Sequence, residues 1–361
     1  MNSKCEDLAI VVENPDGSKT VQIKKRFLAN PINRSLYLYK TKYCANQKDS
    51  YHQAIAQDPG GYFPYKNGKK YYYPYIISEK NKNLNLFRCV LKDIEDSCGG
   101  DDFLKDHEHL YFSFMRSSQA LAFNFLDTLK RASLEDQIAF AYRLVELINR
   151  DTVGALRNPL PSDCKIIWNG DITKYLESGD DKKKENAFLT EDSLGGKDHS
   201  TEIDMVIQLY SPSAGKSFVL LFEVKYSESE IGTAKFDDKH IRKFHKCYRP
   251  IYGDLSNQKQ KDFFKNYQFF RNIKFTYNQN NIISVFLTPS EFFNPSINKS
   301  IKKTCLDAFR EIVPNEADQL RYSFAKIDWE DLLSVSTENE EIKELIAKYF
   351  RLLFAHEGTE I

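Results

Sequence analysis

The chain has 361 residues, 41% of them apolar and 14% aromatic, and its 51 Lys and Arg balance 51 Asp and Glu. That composition excludes a disordered or collagen-like polypeptide, and a chain this long buries enough surface to fold without disulfides or a structural metal. No apolar run approaches the roughly 20 residues of a membrane span, and zero net charge argues against a protein that coats itself with nucleic acid or anionic lipid.

The first hundred residues are rich in Lys, Asn and Tyr, with turn signals at Asn14-Pro-Asp-Gly17, Asp58-Pro-Gly-Gly61 and Lys66-Asn-Gly68. Between them, Leu36-Tyr-Leu-Tyr39 and Tyr71-Tyr-Tyr-Pro-Tyr-Ile-Ile77 read as short strands. After a break at Cys98-Gly-Gly-Asp-Asp102, Ser117-Ser118 can cap a helix that runs to Lys130. A second helix opens at Ser133-Leu-Glu-Asp136, which has capping-box spacing, and carries Ile138, Tyr142, Val145 and Ile148 at helical intervals.

Beyond Asn158-Pro-Leu-Pro161 the period changes. Cys164 to Trp168 reads as a short strand, followed by a polar loop and the glycine turn Leu194-Gly-Gly-Lys197. Glu202 to Tyr210 and Phe218 to Tyr226 are two apolar strands joined by Ser211-Pro-Ser-Ala-Gly215, a hairpin whose second strand is apolar enough to be central in its sheet. A basic helical stretch covers about 254–272, a strand runs from Ile282 to Leu287, and an acidic helical tail follows from Asn315 with Leu345, Tyr349, Leu352 and Leu353 on one face. Mixed strands and helices make the class α/β or α+β.

Seven cysteines, an odd number with no C-x-x-C pair, read as free thiols of a reducing compartment. Met1 to Asp16 has no basic-then-apolar signal layout, so the expected location is the cytoplasm.

Three residues carry the chemistry. Glu223 and Lys225 are two apart on a strand, so both leave the same face of the sheet, while Phe222, Val224 and Tyr226 point the other way into packing. Two charges on an apolar strand are expensive unless they face a cleft or each other. Asp204, near the start of the partner strand, lies within reach of Glu223 across the hairpin. Paired carboxylates repel, and a divalent cation relieves the repulsion. Hard oxygen ligands without clustered His or Cys favour Mg²⁺ or Mn²⁺. Such a site can activate a water for phosphodiester hydrolysis, with Lys225 stabilising transition-state charge or orienting and deprotonating the water.

The order strand–Asp–about twenty residues–Glu-x-Lys resembles the PD-(D/E)XK nuclease superfamily. Ser117-Ser-Gln-Ala120 with Asn124, Thr201-Glu-Ile-Asp204, Phe222-Glu-Val-Lys-Tyr-Ser-Glu228 and Tyr267-Gln-Phe-Phe-Arg-Asn272 together resemble a group of bacterial restriction-endonuclease-like proteins, over roughly 116–289. The resemblance implies a mixed sheet flanked by helices in a nuclease-like core at 101–300. A Tyr-rich, β-containing accessory region would precede it at 1–100, and an acidic helical segment at 301–361 would pack on it. It implies Mg²⁺-dependent cleavage of DNA with no small-molecule cofactor, and a homodimer is among its assemblies. Asp204, Glu223, Lys225 and Gln268 are the implied catalytic residues, with Asp204 and Glu223 as metal ligands. Arg271, Lys243 and Lys246 are the candidate nucleic-acid contacts. Ile203 stands where the superfamily has proline. A helix-borne Glu often joins the metal, and Glu146 and Glu135 are the candidates, Glu146 lying nearer the strand.

Other signals have bland readings beside the functional ones. Gln119 and Asn124 are amides on an apolar helix, suited to buried hydrogen bonding or to substrate contact. His240 and His245 in a basic loop, and His107 and His109 in an acidic one, read as surface histidines. The tyrosines at 71, 72, 73 and 75 can stack bases or pack a sheet. A non-catalytic binding module on the same scaffold is the rival reading, although a scaffold has no need of Asp204, Glu223 and Lys225 together. A glycosidase would leave Lys225 without a role.

The zero net charge hides a distribution. Residues 19–48 hold eight Lys and Arg and no acid, 235–274 hold eleven against four acids, and 315–361 hold eleven acids against five bases. A basic groove beside Asp204 and Lys225 is therefore compatible with neutrality.

Overall fold

In a computed structural model the described residues are 9–23, 29–64, 69–73, 77–88, 90, 92, 117–153, 159–168, 203–334 and 339–350. The chain divides into two compact units, Met1–Ala132 with Thr337–Ile361, and Ser133–Ser336. These boundaries differ from the expected ones at 100 and 300. The last helix, Glu340–Tyr349, packs on helices of the first unit.

The first unit contains a four-stranded antiparallel sheet in the order β2-β1-β4-β3, built from β1 (Ala9–Glu13), β2 (Lys19–Ile23), β3 (Gly61–Pro64) and β4 (Lys70–Tyr73). The predicted turn at Asn14 closes the β1–β2 hairpin. Gly17 N–H donates to Asn14 O at 2.9 Å, and Gly17 sits at φ +81°, where a side chain would be strained. Tyr71 and Tyr73 stack at 6.5 Å on β4, whereas 74–76 lie outside the described residues.

Leu36 to Tyr39 is not a strand. Leu36 to Leu38 end helix α1 (Pro31–Leu38), and Tyr39 opens a π-helical continuation to Cys44. Asn30 caps α1 through Asn33 N–H, and Pro31 supplies a preset φ in the first turn. Ile32, Leu36 and Tyr39 then form a buried stripe at helical spacing, which the Leu-Tyr alternation obscured.

Helices α2 (Ser50–Gln57) and α3 (Ser118–Arg131) follow, the latter capped by Ser117 as expected. Asn124 on α3 is a buried structural amide. It accepts from Phe87 N–H at 2.8 Å and donates to Asn85 O at 3.1 Å and Tyr349 OH at 3.0 Å. Beside this network Lys348 is fully buried, its Nζ donating to Asn85 O at 2.5 Å and lying 5.1–5.9 Å from the rings of Tyr39, Phe87 and Tyr349.

The second unit is organised on a six-stranded mixed sheet, β5-β10-β9-β8-β7-β6: β5 (Thr152–Val153), β6 (Lys165–Ile167), β7 (Met205–Ser211), β8 (Lys216–Val224), β9 (Ile282–Thr288) and β10 (Phe324–Asp328). The predicted β7–β8 hairpin is antiparallel, β8 is central with both faces buried, and β8–β9 and β9–β10 are parallel. Parallel neighbours need long crossovers, and helices occupy both. The first carries α5 (Asp238–Lys243), α6 (Asn257–Lys265) and α7 (Tyr267–Lys274), the second α8 (Pro295–Ser300) and α9 (Leu306–Ile312). Their core is strongly aromatic, with Phe263, Phe264, Phe269, Phe270, Phe286, Phe309 and Phe324 in one buried cluster. This is an α+β fold, a mixed sheet flanked by helices.

Helix α4 (Leu134–Asp151), which precedes β5, packs against β6 and β10. At its start Ser133 Oγ accepts from Asp136 N–H at 3.0 Å. Val145 and Ile148 are buried as expected, whereas Ile138 and Tyr142 are exposed, because the inward stripe runs through Phe140, Ala141, Leu144 and Leu147. His240 and His245 lie in helical segments rather than a loop, because Asp237 caps the start of α5 through His240 N–H. Of the cysteines, Cys44, Cys164, Cys247 and Cys305 are buried free thiols, and Cys5, Cys89 and Cys98 lie outside the described residues. His107, His109, Gly195, Gly196, Leu352 and Leu353 lie there too. Among the described residues no helix is long and apolar enough to cross a membrane.

Burial holds the Lys348 ammonium at a pKa of about 7, against 10.5 for a free lysine. The unfolded chain binds this proton more tightly. The destabilisation is therefore full below pH 7 and fades as pH rises toward 10.5. Lys348→Met is expected to raise the stability of the first unit by about 1–3 kcal/mol at pH 7, since Asn85 O keeps its bond from Asn124. Urea denaturation across pH 7–10 should show the gain shrinking as pH rises.

Candidate active site

On β8 the side chains of Val219, Leu221 and Glu223 share one face by strand alternation, and Lys225 continues that row just past the strand end. Val219 and Leu221 pack with Ile282 in a small apolar cluster, and the charged pair follows where the row reaches the carboxyl end of the strand. The register Met205↔Phe222 sets Asp204 opposite Glu223 at the mouth of the hairpin. Val224 N–H donates to Asp204 Oδ2 at 2.7 Å and fixes that carboxylate where β7 begins. The three residues expected to act together are thus brought together.

Each is held by a different element. Lys225 Nζ lies 2.5 Å from Glu223 Oε1, and Asn272 Nδ2 on α7 donates to Glu223 Oε2 at 2.6 Å. The backbone of Lys225 is clamped from two sides: its N–H donates to Leu287 O at 2.9 Å, and its carbonyl accepts from Trp329 Nε1 at 3.2 Å. Glu228 folds back on the turn after β8, its Oε2 accepting from Tyr226 N–H at 2.8 Å and Ser227 N–H at 2.9 Å.

Glu223 is 1% exposed and Lys225 9%. Asp204 keeps an exposed surface although protein crowds its carboxyl group, so solvent reaches it. That crowding, with the negative charge of Glu223, pushes the Asp204 carboxyl up to about 8 against the pull of Lys225 and the Val224 N–H. Burial works against the charge on Lys225, but Glu223, Glu228 and Asp204 outweigh it and raise its pKa above the ordinary value. Lys225 is a fixed cation at neutral pH.

The donor set suits a hard cation. Glu223 Oε1 is buried and accepts no well-aligned hydrogen bond, its contact being the charge of Lys225. Among the described residues no group of three His, Cys, Asp or Glu side chains forms that could hold a metal. Two opposed carboxylates alone fit an ion such as Mg²⁺, which retains most of its water.

The remaining candidates lie elsewhere. Glu146 is exposed and pairs with Arg143 at 2.7 Å, and Glu135 is exposed on the same helix. Gln268 holds a loop: its Oε1 accepts from Gly232 N–H at 3.0 Å and its own N–H donates to Gly232 O at 3.0 Å. A Cβ on Gly232 would stand 2.6 Å from that Oε1, so any side chain there displaces the amide. Arg271 lies on the same helix, Lys243 Nζ sits 5.5 Å over the Tyr267 ring, and Lys246 is exposed. Asn272 and Glu228 were not singled out from sequence. The available signal for Asn272 was its place four residues after Gln268, on one face of α7.

Asn272→Ala leaves a buried carboxylate oxygen without its donor and is expected to destabilise the chain by about 1–3 kcal/mol. Chemical denaturation of Asn272→Ala, Glu223→Gln and the double variant should give non-additive losses.

No curated protein and no solved structure matches this chain. The description Restriction Endonuclease associating with ARP matches residues 47–351, which contain the β7–β8 hairpin, α7 and all the residues of the site. Over that span, well beyond half its length, the chain belongs to this restriction-endonuclease family.

Proposed function

We propose that the protein is a Mg²⁺- or Mn²⁺-dependent nuclease of PD-(D/E)XK type that hydrolyses DNA phosphodiester bonds. The observation that carries this reading is the opposition of Asp204 and Glu223 at the end of one hairpin, with the Lys225 ammonium 2.5 Å from Glu223. Asp204 and Glu223 are the residues to hold the cation, which supplies Lewis acidity and an acidified water when bound. Lys225, kept charged by three carboxylates, stabilises negative charge on the phosphate rather than taking a proton. Asn272 orients Glu223. Arg271, Lys243 and Lys246, within the basic stretch 235–274, supply attraction for the DNA backbone. The family description names association with ARP, and we read a partner of that kind as part of this chain's function.

The test is cleavage of plasmid and single-stranded DNA by the purified chain with Mg²⁺ or Mn²⁺. Wild type is expected to cut, and Asp204→Asn, Glu223→Gln and Lys225→Ala each to lose about a hundredfold or more in rate. DNA retained but uncut by wild type would return the chain to a binding scaffold, and equal cleavage by Lys225→Ala would remove that residue from the chemistry.

A further inference from the structure

The loop after Ile231 and the start of α7 enclose an open recess of about 620 Å³, whose lining includes Gly232, Lys235, Asp237, His240, Gln268 and Arg271. Lys235 and Arg271 are cations. The acid among them, Asp237, is engaged as the cap of α5, accepting from His240 N–H at 3.0 Å with His240 Nδ1 2.7 Å from the same oxygen. The lining therefore presents a positive field. Its wall is fixed, because Gln268 and Gly232 bond in both directions.

The recess offers charge and polar groups but little aromatic face. Tyr267 also lines it, yet its ring stacks on Phe264 at 6.0 Å and is overlain by the Lys243 ammonium. A nucleobase gains most from an uncovered ring. A phosphate gains from cations and amide groups.

The recess also lies in register with the site. Gln268, on the wall of the recess, stands about one turn before Asn272, whose amide holds Glu223, and Arg271 is the residue next to Asn272. One turn is about 5–6 Å along the helix axis, the scale of the step between neighbouring phosphates on a strand.

We infer that this recess binds the phosphate next to the scissile one on the same DNA strand, through Lys235 and Arg271. This rests on the phosphodiesterase reading and adds to it a second phosphate subsite that sets the register of the strand.

The experiment is fluorescence anisotropy of the full chain with a labelled DNA oligonucleotide in EDTA, titrated with salt. Lys235→Ala and Arg271→Ala are expected each to lower the slope of log affinity against log salt by about 1. Arg271→Lys keeps the charge and should keep the slope. Lys239→Ala, on the exposed surface of α5 outside the recess, should leave it unchanged. Slopes of wild-type size in Lys235→Ala and Arg271→Ala would overturn the inference, as would an equal loss in Lys239→Ala. The two readings fail separately. Cleavage with unchanged slopes removes the recess alone. Lowered slopes without cleavage remove the catalysis and leave the recess.

Discussion

Two carboxylates meet at the mouth of the β7–β8 hairpin, and their mutual repulsion in a crowded setting is the constraint on which the second unit is built. Left alone, such a pair would push the hairpin end apart, and part of the strain is met by the Asp204 carboxyl holding its proton up to about pH 8. Here Lys225 lies against one oxygen of Glu223, Asn272 donates to the other, and the Val224 N–H holds Asp204. Breaking a buried arrangement of this kind by removing one partner is far more damaging than never having had it. The residues that balance the charge are therefore as much a part of the site as the acids themselves.

The mixed sheet makes that balance attainable. β8 runs antiparallel to β7 and parallel to β9, and β9 runs parallel to β10. The start of β7 and the carboxyl ends of β8, β9 and β10 thus share one edge, where open sheets place their binding crevices. Leu287 at the end of β9 and Trp329 just past β10 both bond the backbone of Lys225. The long helical crossover between β8 and β9 then lays α7 against β9, with Asn272 over Glu223. A purely antiparallel meander would have brought short turns to the same place and no helix.

Much of this was readable from residue order. Strand alternation puts Glu223 and Lys225 on one face whatever the fold, and a five-residue turn between two apolar runs gives Asp204 its neighbour. The resemblance to restriction-endonuclease-like proteins agrees with the restriction-endonuclease family to which the chain belongs. What escaped depends on tertiary approach. Asn272 is 49 residues from Glu223, and its place one turn after Gln268 does not reveal which strand it faces. Leu36 to Tyr39 alternates like a strand, but Asn30 and Pro31 had already set a helix in motion, and a pattern four residues long cannot separate period 2 from period 3.6. On the helix 134–151, several apolar stripes were available, and only the sheet decides which turns inward.

The clamp on the Lys225 carbonyl has an optical consequence. The chain contains two tryptophans, and Trp329, wholly enclosed, is hydrogen-bonded to the backbone of the lysine at the centre of the charged cluster. Indole emission responds to the local electric field, so the protein carries its own chromophore beside the two acids. A change in charge at Glu223, the partner of Lys225, is expected to shift the emission of Trp329 without any label.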